Sequence, residues 1–225
     1  MTNHLLTGLQ RHLEGIYELG EGLDVAAFTV TDVEWLTHVD PGARGDSAVV
    51  GGERLLVRQA DDELQLALYL DPAVLSRLAD DDPWTHLHDG NLADYCTALE
   101  GVSHFRYLCW NAGHGRPVTA LELEMQAEVD KYIAVATLLG RQGAGRVPRA
   151  LRPRLFDEPQ FHAGLSKGLT RRYYDANRYA DRYVRHLEDA YLRRATSGEA
   201  TLVRDLRRFY RLSLRDKIRR IEAVA

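Results

Sequence analysis

The spacing of apolar residues divides this chain into amphipathic helices around one alternating segment. Leu5, Leu6, Leu9, Leu13, Ile16 and Tyr17 recur at three- and four-residue steps. That is the period of a helix with one buried face, and Gly20 or Gly22 marks its end. Short helices are predicted after Thr31-Asp32, over Val33 to His38, and from Asp71-Pro72 through Leu78. Between them lies the β signal. Leu64, Leu66, Leu68 and Leu70 alternate with Gln65, Ala67 and Tyr69, while Leu55 and Val57 give a partner strand its apolar face. Ala60-Asp61-Asp62-Glu63 supplies the turn of a hairpin over 53–70. A lone hairpin is marginal in water, so its leucine face is expected to lie on helices.

The stretch Leu92 to Trp110 is apolar on most of its surface, which predicts a central, buried helix ending at Asn111 to Gly115. Thr119-Ala-Leu-Glu122 reads as a capping box, the threonine accepting from the backbone and the glutamate reaching back. It opens a helix with Leu121, Met125, Val129, Tyr132, Ile133, Ala136 and Leu139 on its buried side. The run Gly140 to Pro148 breaks that helix and is the predicted hinge. Past a proline-containing stretch, 148–168, two long helices are predicted, roughly 171–195 and 199–222. Their stripes are Ala176, Ala180, Tyr183, Val184, Leu187 and Tyr191, then Leu202, Leu206, Tyr210, Leu214, Ile218 and Ile221. Short loops between long helices favour antiparallel neighbours. The expected fold is α+β and predominantly α-helical, with six to eight helices and one β-hairpin packed on the central ones. A single domain is expected over 1–225: an acidic part (1–140), a hinge (140–148) and a basic helical pair (171–222).

Charge sharpens that division. Residues 1–130 hold 23 Asp/Glu and 7 Arg/Lys, while residues 131–225 hold 10 and 22, giving −16 and +12 within a net charge of −4. Either the halves attract each other within one fold, or the basic half meets an anionic partner. The basic residues are 26 Arg and 3 Lys, as a GC-rich bacterial genome would give. No apolar run approaches the ~18 residues of a membrane span. The polar, non-basic start argues against an export signal, so a cytoplasmic location is expected. Without export, Arg44-Gly-Asp-Ser47 is not an adhesion motif. Cys96 and Cys109 fall 13 residues apart on one predicted helix, hence roughly 20 Å, too far for a mutual disulfide.

Three constellations could carry chemistry. Arg171, Arg178, Arg182 and Arg185 share one face of their helix, and Arg204, Arg208, Arg211 and Arg215 share one face of the last. Such stripes, interleaved with Tyr173, Tyr174 and Tyr179, could meet another protein or nucleic-acid phosphates. Asp175 and Asp181 stand where they would pair locally with Arg178 and Arg185. On the central helices, Glu100, His104, Tyr107 and Asn111 form one polar line. The next helix offers Glu124, Glu128 and Lys131 on one line and Glu122, Gln126 and Asp130 on another. Carboxylates and a histidine facing each other across two helices are how bundles hold metals. The spacing here is Glu-x-x-x-His rather than the di-iron Glu-x-x-His, with a further pair at Glu34/His38. The alternative is a histidine paired along its own helix beside a solvated glutamate face, or metal-free acid–base work. The third constellation is the acidic loop of Asp80, Asp81, Asp82, His86, His88 and Asp89, which could chelate a divalent ion or be a solvated turn.

These observations support first an interaction or adaptor protein using the Arg/Tyr-rich C-terminal surface, with Arg171, Arg178, Arg182, Arg185, Arg204, Arg208 and Arg211 as partner-binding residues. The alternative is a helical metal-binding protein or enzyme using a divalent metal at Glu100, His104, Glu124 and Glu128. A third reading is nucleic-acid binding through the arginine stripes. Phosphate-loop, dinucleotide and serine-elbow signatures are lacking.

Overall fold

A computed structural model describes residues 2–39, 52–60, 63–143, 145–157, 166–192 and 199–224. Among them, nine α-helices surround a small mixed sheet. Helix α1 (Thr2–Tyr17) leads through a 3₁₀ turn (Val25–Phe28) to the two-residue strand β1 (Thr29–Val30) and helix α2 (Val33–Val39). Strands β2 (Glu53–Ala60) and β3 (Glu63–Leu70) form the predicted hairpin, followed by α3 (Pro72–Asp80). The long helices α4 (Leu92–Gly113) and α5 (Ala120–Gln142) come next, then α6 (Leu151–Phe156), α7 (Lys167–Leu187), α8 (Glu199–Tyr210) and α9 (Leu214–Val224). No helix among the described residues is long and apolar enough to cross a membrane. The Arg44–Ser47 loop and turn residues 61–62 lie outside the described residues.

The fold is α+β and mostly helical. The sheet order is β1-β3-β2, with β1 parallel and β2 antiparallel to the central β3. Alternation gives β3 two apolar faces. Leu68 and Leu70 join the main core beside α4, whereas Tyr69 packs on the other side with Leu36 of α2. The leucine face reaches the helices at the base of the hairpin, with Leu55 and Leu66 partly covered. Towards its tip, Val57 and Leu64 are exposed. One buried cluster runs from Leu5 of α1 to Ile221 of α9, with Tyr95, Leu99, Val102 and Phe105 of α4 at its centre.

Several boundaries differ from the sequence reading, each for a local reason. Gly140 stays helical, and α5 ends at Gly143, whose N–H bonds back to Leu139. The helix expected over 171–195 starts earlier, because the Ser166 side chain caps it, and finishes as a π-helical turn (Glu188–Leu192). The stretch expected as one helix over 199–222 is two. Ser213 Oγ accepts the Asp216 N–H and starts α9 afresh, which with the short α6 raises the helix count above eight. Thr119 does cap α5, accepting from the Glu122 N–H at 3.2 Å. The Glu122 carboxylate does not reach back, because it accepts the Tyr107 hydroxyl at 2.6 Å in the interior.

That interior contact belongs to a buried network formed by the second polar line of α5. Asp130 accepts from Tyr17 Oη at 2.5 Å, Ser103 Oγ at 2.6 Å and Gln126 Nε2 at 2.7 Å. Lys217 of α9, fully enclosed, donates to Gln126 Oε1 at 2.6 Å and Tyr107 Oη at 2.8 Å. Helices α1, α4, α5 and α9 are therefore tied together by hydrogen bonds in the buried interior, where an unpaired polar atom would cost most.

The basic half also finishes the first helix. Arg207 donates to the carbonyl of Ile16, and Arg211 to those of Tyr17 and Glu18. Guanidinium groups on the last carbonyls of a helix satisfy orphan acceptors at its negative end.

Candidate metal centre

Helices α4 and α5 run antiparallel, as the pairings Tyr107–Glu122, Ser103–Asp130 and Glu100–Lys131 show. The first polar line of α5 therefore faces Glu100 and His104. Ligand-type atoms of Glu100, His104 and Glu124 all lie within 4.8 Å of one another, the one such trio of His, Cys, Asp or Glu among the described residues. His104 Nε2 stands 3.4 Å from Glu124 Oε2, and its Nδ1 stands 3.7 Å from Glu53 Oε1. Lys131 Nζ bridges Glu100 Oε2 at 2.9 Å and Glu128 Oε1 at 2.8 Å. The His104 side chain keeps 8 % of its surface exposed, Glu53 14 % and Glu124 13 %. His104 Nε2 and Glu53 Oε2 are buried without a hydrogen bond of good geometry.

Glu53 was not among the sequence candidates, yet the strand period contained it. Glu53 shares its face of β2 with Leu55 and Val57, so it points where Leu55 points, toward α4. Gly101 makes room for it: a Cβ there would meet Leu68 Cδ1 at 2.9 Å and Glu53 Oε2 at 3.2 Å. Gly101→Ala sets overpacking of about 1–3 kcal/mol against a helix-propensity gain of about 1 kcal/mol. A net loss of about 1 kcal/mol is expected in urea unfolding, and a stabilised variant would contradict this close approach.

Electrostatics follow from the crowding. Burial raises the pKa of Glu53, against the pull of His104, and raises that of Glu128 against Lys131. Burial alone would lower His104, but Glu124 and then Glu53 outweigh it and hold the imidazole pKa well above its usual value. Lys131 is likewise lifted by Glu100 and Glu128 despite burial. Tyr173 of α7 borders the same group. Burial, then the charges of Glu124, Glu100 and Glu53, push its phenol upward. Counted with His104 charged, the four glutamates carry −4 and Lys131 and His104 carry +2, leaving two negative charges without a counter-charge among these six groups.

The remaining sequence candidates fall elsewhere. Glu34 and His38 lie exposed on α2. In the acidic loop, His88 pairs with Asp81 at 2.9 Å and His86 packs on the His88 ring, without a third donor converging. Cys96 and Cys109 are both unpaired by disulfide, and burial pushes their thiols up to about 12 and about 11, away from thiolate chemistry. Arg171 and Arg178 both reach Asp175, and Arg185 reaches Asp181, the local pairs that the spacing offered. Arg211 lies in the turn after α8 and is spent on α1, so it leaves the stripe of exposed Arg204, Arg208 and Arg215. An open groove of about 870 Å³ between the hairpin tip and the end of α4, lined by Leu64, Leu66 and Trp110, shares no residue with the cradle.

A mostly helical α+β frame thus holds a carboxylate–histidine cradle between two antiparallel helices and one strand. No protein-family model, curated protein or solved structure matches the chain.

Proposed function

We propose that this protein binds a divalent metal ion through His104 Nε2 and the carboxylates of Glu100 and Glu124. One observation carries the reading: a nine-tenths buried histidine nitrogen without a hydrogen bond of good geometry, converging with two carboxylates in a group where carboxylates outnumber cations. One imidazole and two carboxylates suit manganese, iron or zinc better than the thiolate-seeking ions. Three protein donors leave a coordination position open to water or substrate, the layout of a reactive rather than a purely structural centre. Glu100 and Glu128 each keep about a fifth of their side-chain surface open, which gives an ion a route in.

Glu53 has a separate role in this reading. A carboxylate on Nδ1 fixes the tautomer that presents the Nε2 lone pair, the outer-sphere partner that metal-bound histidines commonly have. Glu53→Gln is expected to weaken metal binding about 10–100-fold without changing its stoichiometry. Calorimetric titration checks it, and unchanged affinity would remove Glu53 from the site.

The direct test is elemental analysis of protein purified without a metal-affinity tag, followed by titration of the chelator-treated chain with Mn²⁺ and Zn²⁺. Near-stoichiometric, saturable uptake supports the reading. Absence of both native metal and saturable uptake ends it.

A further inference from the structure

The carboxylates of the cradle are spaced along the two helices for more than one cation. Glu124 and Glu128 are one helical turn apart on α5, as are Glu100 and His104 on α4, a rise of about 6 Å along each axis. The two facing pairs define two neighbouring positions with Glu100 common to both. The first is bounded by His104, Glu124 and Glu100. The second lies between Glu100 and Glu128, and there Lys131 Nζ sits 2.9 Å from one carboxylate and 2.8 Å from the other.

We propose that the Lys131 ammonium occupies the position of a second metal ion, so that the cradle takes one divalent cation where its four glutamates would otherwise take two. This rests on the metal reading above and adds a statement about stoichiometry and about Glu128, which becomes a partner of Lys131 rather than a metal ligand. The geometry is that of a fixed cation. The lysine comes from the same helix as Glu128, three residues on. Its side chain is 14 % exposed, and its ammonium donates to a carboxylate on either side. The charges agree. With His104 neutral on the metal, four carboxylates, Lys131 and one divalent ion sum to −1, and exchange of the ammonium for a second divalent ion brings the group to zero. Two metals about 3.5–4 Å apart can clamp both the attacking and leaving oxygens of a displacement. A site limited to one metal can polarise or activate a single oxygen.

The experiment is an Mn²⁺ titration of the full chain, followed by calorimetry and by electron paramagnetic resonance. Wild type is expected to bind one Mn²⁺. Lys131→Ala, with circular dichroism confirming its fold, is expected to bind two, with the sextet of the isolated ion broadened by coupling. Lys131→Met repeats the test with the stem volume retained. In wild type, Glu128→Gln should change affinity by less than about tenfold, whereas Glu124→Gln should lower it by at least about 10–100-fold. This comparison decides the question even where a Lys131 variant fails to fold. Two Mn²⁺ ions in wild type, one in a folded Lys131→Ala, or equal damage from Glu128→Gln and Glu124→Gln would each overturn the proposal while leaving metal binding intact. Binding in none of the proteins overturns the metal reading and this one with it.

Discussion

His104→Ala is expected to lower Mn²⁺ or Zn²⁺ affinity by more than about 100-fold, beyond the range for losing an outer-sphere partner. His104 supplies the one nitrogen donor, and Glu100 and Glu124 without it are two carboxylates on facing helices with no neutral ligand between them. Thermal unfolding gives the second readout. A ligand at 100 times its Kd stabilises the folded state by about 2.7 kcal/mol, a rise of roughly 5–10 °C in Tm for a chain of this size. Wild type should show that rise and His104→Ala should not. The comparison is made within each protein, because the variant loses stability even without metal: the imidazole that separates Glu53 from Glu124 is gone. A His104→Ala protein that still takes up one equivalent of metal with an undiminished Tm rise would place the ion elsewhere.

Lys217→Met is expected to be the most damaging change away from the cradle, costing at pH 9 about 1–3 kcal/mol for each buried polar group left without its partner. Gln126 Oε1 loses its donor, Tyr107 Oη loses one of its two partners, and the amine packed 4.4 and 5.0 Å from the ring centres of Tyr107 and Phe209 is gone. The pH dependence has a definite sign. Burial lowers the Lys217 pKa to about 7, opposed by Glu122 and Asp130. Between pH 7 and the ordinary lysine range the unfolded chain holds more protons than the folded one, so stability rises with pH. Asp130 acts oppositely. Burial raises its pKa to about 6 against Ser103, Tyr17 and Gln126, so the folded chain holds more protons between the ordinary aspartate value and pH 6, and stability falls through that window. Together the two groups place a minimum in their contribution between pH 6 and 7. Lys217→Met should abolish the rise from pH 7 to 9, and its cost should be smallest near pH 6, where wild type itself bears a buried ammonium. Urea unfolding across pH 6–9 reads both, and an unchanged slope in the variant would assign the rise to another group.

The parts of this protein legible in its sequence are those written in a single period. Six residues at helical spacing define α1, alternate leucines define β3, and Glu100 with His104 and Glu124 with Glu128 share one line each of α4 and α5 as their spacing predicts, though which way those lines face is not in the spacing. What one element's period cannot give is the neighbour from another element. Glu53 shares a strand face with Leu55, but nothing in β2 says that Gly101 lies opposite. Lys217 falls within the apolar stripe of α9 and reads as a surface lysine until α4 and α5 close around it. Glu122 has the position of a capping-box glutamate and is drawn inward by Tyr107, a partner 15 residues away on another helix. The arginine stripes show the converse. Their charge is obvious, yet Arg211 is committed to α1 by contacts across more than 190 residues.

Those contacts also bear on how the chain is made. Helix α1 leaves the ribosome well before the guanidiniums that close its carbonyl end, which belong to Arg207 and Arg211 and emerge about 190 residues later. Tyr17 waits for Asp130, and Asp130 and Glu122 wait for Lys217, before the interior is electrically complete. Long sequence separations of this kind slow folding. A nascent chain that stops short of α8 lacks the donors for the last carbonyls of α1, and one that stops short of α9 lacks Lys217 beside Asp130 and Glu122. The last turn of α1 is therefore closed by residues from the far end of the chain, and any truncation before α8 leaves it open.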